Sequence, residues 1–339
     1  MKKRIVNYLY TSVLLISFFV APAAMAQQRI AAADLTVLEK KQDSLQQLSA
    51  RMVFDSISGD RFRADSQFVR TFVRALVTKN SFYFPFDSLN ISRLYAPDSA
   101  FRIFTWQMKK DDYVYLQKGA IQLPTRDGSL KLIPLHDVSM FTRNPMDSAR
   151  TARNWIGAIY YRIVLKEFNG KKYYTLFGFD DFTVNSNKKW MEVLTFNDNG
   201  EPIFGGNYFS YKNDSVPRPT QKRFSIEYKK EARTFLNYDP EMDVILVDHL
   251  VSESDEPEKK WTLVPDGDYE AFKWQNGQWM HINKLFDQRL KDGEFPKEAL
   301  LLDDAGKANE KALEEASRRN IQRAEQKQPP KTPVKKKDN

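Results

Sequence analysis

IYYRIVLKEFNGKKYYTLFGFD, residues 159–180, is the stretch on which the fold turns. Two apolar-rich runs of strand length flank Asn169-Gly170. Asn-Gly tolerates the positive φ angles of a type I′ turn, whose twist matches that of two paired strands. Ile159, Tyr161, Ile163 and Leu165 recur at a spacing of two, and Arg162 and Lys166 fall on the opposite face. That alternation predicts a strand with one buried face and one face in water.

The same punctuation recurs along the chain. Asp127-Gly128 separates 121–123 from 130–133, Asn199-Gly200 separates 190–196 from 203–211, and Asn276-Gly277 separates 269–274 from 279–282. Four such signals in order predict sequential antiparallel hairpins. Phe224, Ile226 and Tyr228 alternate with Arg223, Ser225 and Glu227, while 244–251 is apolar on both faces apart from Asp248 and His249, as a central strand requires. Gly205-Gly206 reads as a strand bulge or bend.

Ahead of the strands the period is helical. Leu38, Leu45 and Met52 repeat every seven residues within 33–53. This is an amphipathic helix lying on the body or, alternatively, a short coiled-coil arm. Phe68, Val69, Phe72, Val73 and Leu76 form the apolar stripe of a second helix over 64–78.

The ends carry other messages. Lys2, Lys3 and Arg4, an apolar run over 13–20, and Ala24-Met25-Ala26 before Gln27 have the three parts of a secretory signal cleaved after Ala26. Residues 1–26 supply +3 and residues 305–339 supply +5 of the net +8, so the body between them is neutral. A basic face for nucleic acid is not expected, and no later stretch is long and apolar enough for a transmembrane segment. The chain has no Cys, which excludes disulfides and thiolate metal sites.

The fold class read from these patterns is α+β, mainly β. N-terminal helices pack on one large curled antiparallel sheet, barrel-like or sandwich-like, followed by a charged C-terminal helix and a disordered tail. The expected organisation is a signal peptide at 1–26, a helical segment at 27–82, an antiparallel β domain at 83–290, a linker at 291–304, and a charged helix with a disordered basic tail at 305–339.

Catalytic signals are few. The three histidines, His136, His249 and His281, have no metal-ligand spacing. They read as surface or hydrogen-bonded strand residues. No nucleophile elbow or phosphate loop occurs. Asp180-Asp181 and Asp266-Gly267-Asp268 are candidate carboxylate pairs for glycoside hydrolysis by composition, and equally ordinary turn residues. No catalytic, cofactor-binding or metal residue is assigned, and no cofactor is expected.

Four strings resemble an uncharacterised family of exported proteins from Bacteroidetes-type bacteria: FRIFTW at 101–106, YTLFGFD at 174–180, EVLTF at 192–196 and VPDGDY at 264–269. The resemblance spans about residues 60–286. It implies export from a Gram-negative cell and brings no activity, substrate or site residue.

The functional expectation is a periplasmic or extracellular protein, a non-enzymatic binding or structural module of the envelope. Its partner would be an unidentified envelope component, with an anionic surface as a partner for the C-terminal tail. The alternative is a secreted hydrolase using paired carboxylates.

Overall fold

The computed structural model describes residues 30–285, together with Glu314, Glu315, Ser317 and Arg318. The signal segment, the 291–304 linker and nearly all of 305–339 lie outside the described residues. The four C-terminal residues are helical, and Arg318 pairs with Glu314 one turn away at 3.7 Å.

The chain begins with α1 (Ala32–Phe54) and α2 (Ser58–Leu76). A four-stranded antiparallel sheet follows: β1 (Ser92–Tyr95), β2 (Arg102–Lys109), β3 (Tyr115–Leu123) and β4 (Lys131–Leu135), paired in chain order. Next come β5 (Arg150–Thr151), β6 (Ile159–Phe168), β7 (Lys171–Asp180), β8 (Ser186–Phe196) and β9 (Pro202–Phe204). They form a second sheet in the order β5-β9-β8-β7-β6. The remaining strands are β10 (Phe209–Ser210), β11 (Arg223–Lys229), β12 (Leu236–Asp239), β13 (Val244–Ser252), β14 (Leu263–Gln275) and β15 (Gln278–Ile282). Of these, β11 joins the second sheet beside β8, and the others make a third sheet, β10-β15-β14-β13-β12.

The expected single curled sheet is thus three sheets, and none closes into a barrel. The reason lies in the side chains between them. Three apolar clusters separate four layers. Leu38, Leu45 and Met52 of α1 and Phe68 and Phe72 of α2 meet Phe104, Trp106 and Met108 on one face of the first sheet. Ile103 and Ile121 on its other face meet Tyr174, Leu176, Trp190 and Leu194 of the second sheet. Phe177, Met191 and Val193 point the opposite way, onto Ile245, Val247, Phe272 and Trp279 of the third. The second sheet is therefore covered on both faces, and stacking replaces closure.

This corrects the wet face expected for 159–168. Tyr161 is the extra residue of a bulge between Tyr160 and Arg162, so it leaves the face of Ile163 and joins the third-sheet cluster. Arg162 and Lys166 turn not to water but to β12 and its turn. Arg162 donates to Asn237 Oδ1 at 3.0 Å and Tyr238 O at 2.8 Å, and Lys166 pairs with Asp243.

All four Asx-Gly signals sit between paired strands. Only two are type I′ turns by backbone angle: Asn169 and Gly170 have φ 49° and 72°, and Asn276 and Gly277 have 50° and 79°. In the longer connections at 124–130 and 197–201 the glycine alone takes positive φ. Among the strands of the described residues the β10–β15 pair is parallel and the other pairs are antiparallel.

The heptad of α1 faces α2 and the first sheet, so the coiled-coil arm is corrected to a packed helix. Helix α2 starts six residues before the expected position 64, where Ser58-Gly59-Asp60 supplies a first turn with a carboxylate at the positive helix end.

Candidate functional site

The loop at 136–149, between the first and second sheets, is pinned at both ends. Asp137 accepts from Ser139 N at 2.9 Å, Ser139 Oγ at 3.0 Å and Gly157 N at 2.9 Å. A side chain at Gly157 would lie 2.2 Å from Gln117 Cβ, so glycine permits the close approach. At the far end Arg223 of β11 donates to Pro145 O at 2.5 Å and Ser148 O at 2.8 Å.

Beneath this loop lies a cleft of about 410 Å³, walled by Val114, Tyr115, Ile156, Phe182 and Trp190. Asp180, at the end of β7, stands in it, nearly buried. One oxygen, Oδ1, accepts from Gln117 Nε2 at 2.9 Å and Phe182 N at 3.1 Å. Burial raises its pKa to about 6, against the lowering influence of the Phe182 N–H, Lys188 and Gln117. Lys188 of β8 lies under Phe182 and Trp190, its ammonium 3.5 Å and 5.2 Å from the two ring centroids. Burial lowers its pKa, offset in part by Glu227 and Asp180. Phe182, whose ring faces the ammonium, adopts φ 27°, a costly angle for a non-glycine residue.

One buried side-chain atom of the cleft lining, the donor Trp190 Nε1, has no hydrogen-bond partner among the described residues; the acceptor Gln117 Oε1, also without one, belongs to a residue that lines the neighbouring cavity. Buried polar atoms are rarely left so. A second cavity, of about 500 Å³, opens on the other side of Met140, lined by Trp106, Leu116 and His136. Its charges are already engaged: Lys118 pairs with Asp65, and Asp137 holds its three donors. At the shared rim Tyr113, Met140 and Phe141 are exposed.

The candidate carboxylate pairs do not face each other across a cleft. Asp180 points inward, while Asp181 turns to Lys230, its Oδ1 accepting at 2.6 Å. Asp266 and Asp268 sit on an exposed, bulged part of β14: Asp266 accepts from Asp268 N at 3.0 Å and bonds His249 Nδ1 at 2.8 Å, and Asp268 pairs with Lys284. Among the described residues no three His, Asp or Glu side chains gather as a metal site.

His281 has a more constrained place. Its ring is buried on β15 between Asp214, which Nδ1 meets at 2.8 Å, and Glu270, which Nε2 meets at 2.9 Å. Burial opposes the charged ring, but bonds to Glu270 and Asp214 outweigh it and raise the pKa. Two carboxylates on the two nitrogens require both to donate, which is the imidazolium. The clamp's contribution to stability is complete below the ordinary histidine pKa of 6.5 and is lost as pH rises through the raised folded value. The urea midpoint should therefore fall as the pH is raised from 6 to 9, and His281→Gln should flatten that decline. An equal decline in the variant would remove His281 as the cause.

No family model matches the chain, and no curated protein matches it.

Proposed function

We propose that this chain is an exported, non-enzymatic binding module of the cell envelope whose ligand seat is the cleft beside Asp180. The observation behind this reading is Trp190 Nε1, a buried donor in the cleft lining with no acceptor among the described residues. Such a donor costs about 1–3 kcal/mol when left unsatisfied in a folded protein, and a ligand acceptor seated in the cleft removes that cost. Strain at Phe182 and the double pinning of the 136–149 loop also place effort in this region that packing alone does not call for.

Export rests on the signal-like residues 1–26, and the resemblance to exported proteins points the same way. The +5 of residues 305–339 gives the exported chain a means of holding an anionic surface, through attraction that fades as salt rises. Among the described residues no helix is long and apolar enough to cross a membrane. The hydrolase alternative has less behind it, because neither carboxylate pair converges on a cleft.

The test is to purify the chain from the envelope fraction of a Gram-negative host and weigh it intact under native conditions. The expected product begins at Gln27 and carries a small molecule that Lys188→Met does not retain. A product beginning at Met1 overturns export. An empty wild-type cleft, or a ligand retained equally by the variant, overturns the seat.

A further inference from the structure

We infer that the cleft takes an anion borne on a flat apolar body, of the aromatic carboxylate class, with Lys188 Nζ and Trp190 Nε1 donating to its oxygens. This rests on the cleft reading above and specifies the ligand.

Lys188 has three donor hydrogens and little to give them to. The one carboxylate ion-paired with it among the described residues is Glu227, whose Oε2 is 3.6 Å away, beyond hydrogen-bond reach. Glu227 also accepts from Ser186 Oγ at 2.7 Å, so it is shared. The ammonium is otherwise held by the π faces of Phe182 and Trp190, which compensate its charge but accept no ordinary hydrogen bond. Trp190 is itself 5% exposed and its indole N–H has no acceptor among the described residues. A cation and a neutral donor short of acceptors, in one cleft, select an acceptor with negative charge. Arg143 in the cleft lining adds positive charge. The apolar part of the lining includes Val114, Pro145, Ile156 and the two aromatic rings, which suit a planar apolar body.

Asp180 couples the site to pH. Its Oδ1 is occupied by Gln117 and the Phe182 N–H, and no bond to its Oδ2 is present among the described residues. The groups that act on it are Gln117 from β3, Asp137 from the 136–149 loop, Lys188 from β8 and, through Lys188, Glu227 from β11. An anion arriving beside Asp180 is repelled while the carboxylate is charged and accepts a hydrogen bond once it is protonated. Binding therefore takes up a proton.

Benzoate is the probe, and benzamide its neutral counterpart of the same shape. The full chain, labelled with ¹⁵N, is titrated with each, following the Trp190 indole N–H resonance, assigned by its loss in Trp190→Phe. Benzoate should shift that resonance and bind about 50-fold more tightly at pH 6 than at pH 8, the ratio for one proton taken up by a group titrating at about 6. Lys188→Met should weaken it at least tenfold, and Asp180→Asn should level the pH dependence. Benzamide binding as well as benzoate would overturn the anion and leave the cleft standing. Neither molecule moving the resonance would overturn both. Equal affinity at the two pH values would remove Asp180 from the recognition.

Discussion

Glu192→Gln should cost about 3–5 kcal/mol of folding stability, the range for removing one partner of a buried ion pair. Glu192 of β8 and Arg223 of β11 face each other in the second sheet, Nε to Oε2 at 2.8 Å, and both are almost fully buried. The other oxygen of Glu192 accepts from Tyr160, whose hydroxyl in turn accepts from Trp155 Nε1 at 2.7 Å. Burial pushes the Tyr160 hydroxyl well above its ordinary pKa, so it stays a donor. Arg223 spends its remaining donors on Phe204 O, Pro145 O and Ser148 O. Glutamine keeps the volume and one acceptor but leaves the guanidinium uncompensated. Urea unfolding followed by tryptophan fluorescence reads the loss as a lower midpoint with an unchanged slope. Arg223→Met alone should fall in the same range, and the double variant Glu192→Met with Arg223→Met should recover part of it, because no lone charge is then buried. A loss below about 1 kcal/mol for either single variant would show that water enters the pair. The pair also reaches the cleft, since two of the carbonyls that Arg223 holds belong to the 136–149 loop.

What was legible in the sequence is what local chemistry dictates. Asx-Gly pairs between strand-period runs located four hairpins, and the α1 and α2 stripes located the helical layer, because turns and amphipathic periods act over a few residues. Layering was not legible. A strand covered on both faces reads like a half-wet one when the second cover reaches a polar residue, as β12 does for Arg162. The bulge at Tyr161 shifts the register by one residue with no glycine to announce it. The cleft shows the same division. Asp180 was visible as half of a carboxylate pair, but its meaning changed when Asp181 turned away to Lys230. Lys188 and Trp190 carried no signal, because their neighbours come from β3, the 136–149 loop and β11. His281 was partly legible: it pairs with Phe272 across the Asn276-Gly277 turn, which brings Glu270 to the diagonal position. Asp214, 67 residues earlier, was not.

Arg102→Leu should be the other large loss, about 3–5 kcal/mol, and it tests how the helical layer is joined to the first sheet. Arg102 is 1% exposed on β2 and no acidic side chain pairs with it among the described residues. Its charge is met by dipoles and rings instead. Nε donates to Gln122 Oε1 at 2.8 Å, Nη1 to Phe84 O at 2.6 Å and Tyr95 Oη at 2.9 Å, and Nη2 to Ser81 O at 2.7 Å. The Phe104 ring lies 4.7 Å from the guanidinium carbon and the Phe86 ring 5.3 Å. Phe86 and Phe104 both pack on Phe72 of α2, so one guanidinium fastens 81–86, the segment following α2, to the sheet. Burial lowers the Arg102 pKa to about 10, which leaves it charged at neutral pH. Leucine fills part of the volume but orphans the Phe84 carbonyl and Gln122 Oε1, at about 1–3 kcal/mol for each group left buried and unpaired, and leaves the Ser81 carbonyl with the Phe84 N–H alone. Lysine is the decisive control. It keeps the charge yet offers one nitrogen where four directed bonds are needed, so Arg102→Lys should recover less than half of the loss. Full recovery by lysine would mean that charge over the rings, not the fork of donors, fastens the segment. Amide exchange separates the two cases by place: the fork predicts early opening of 81–86 with α1 unaffected, whereas loss of ring contacts alone predicts loosening of α2 around Phe72.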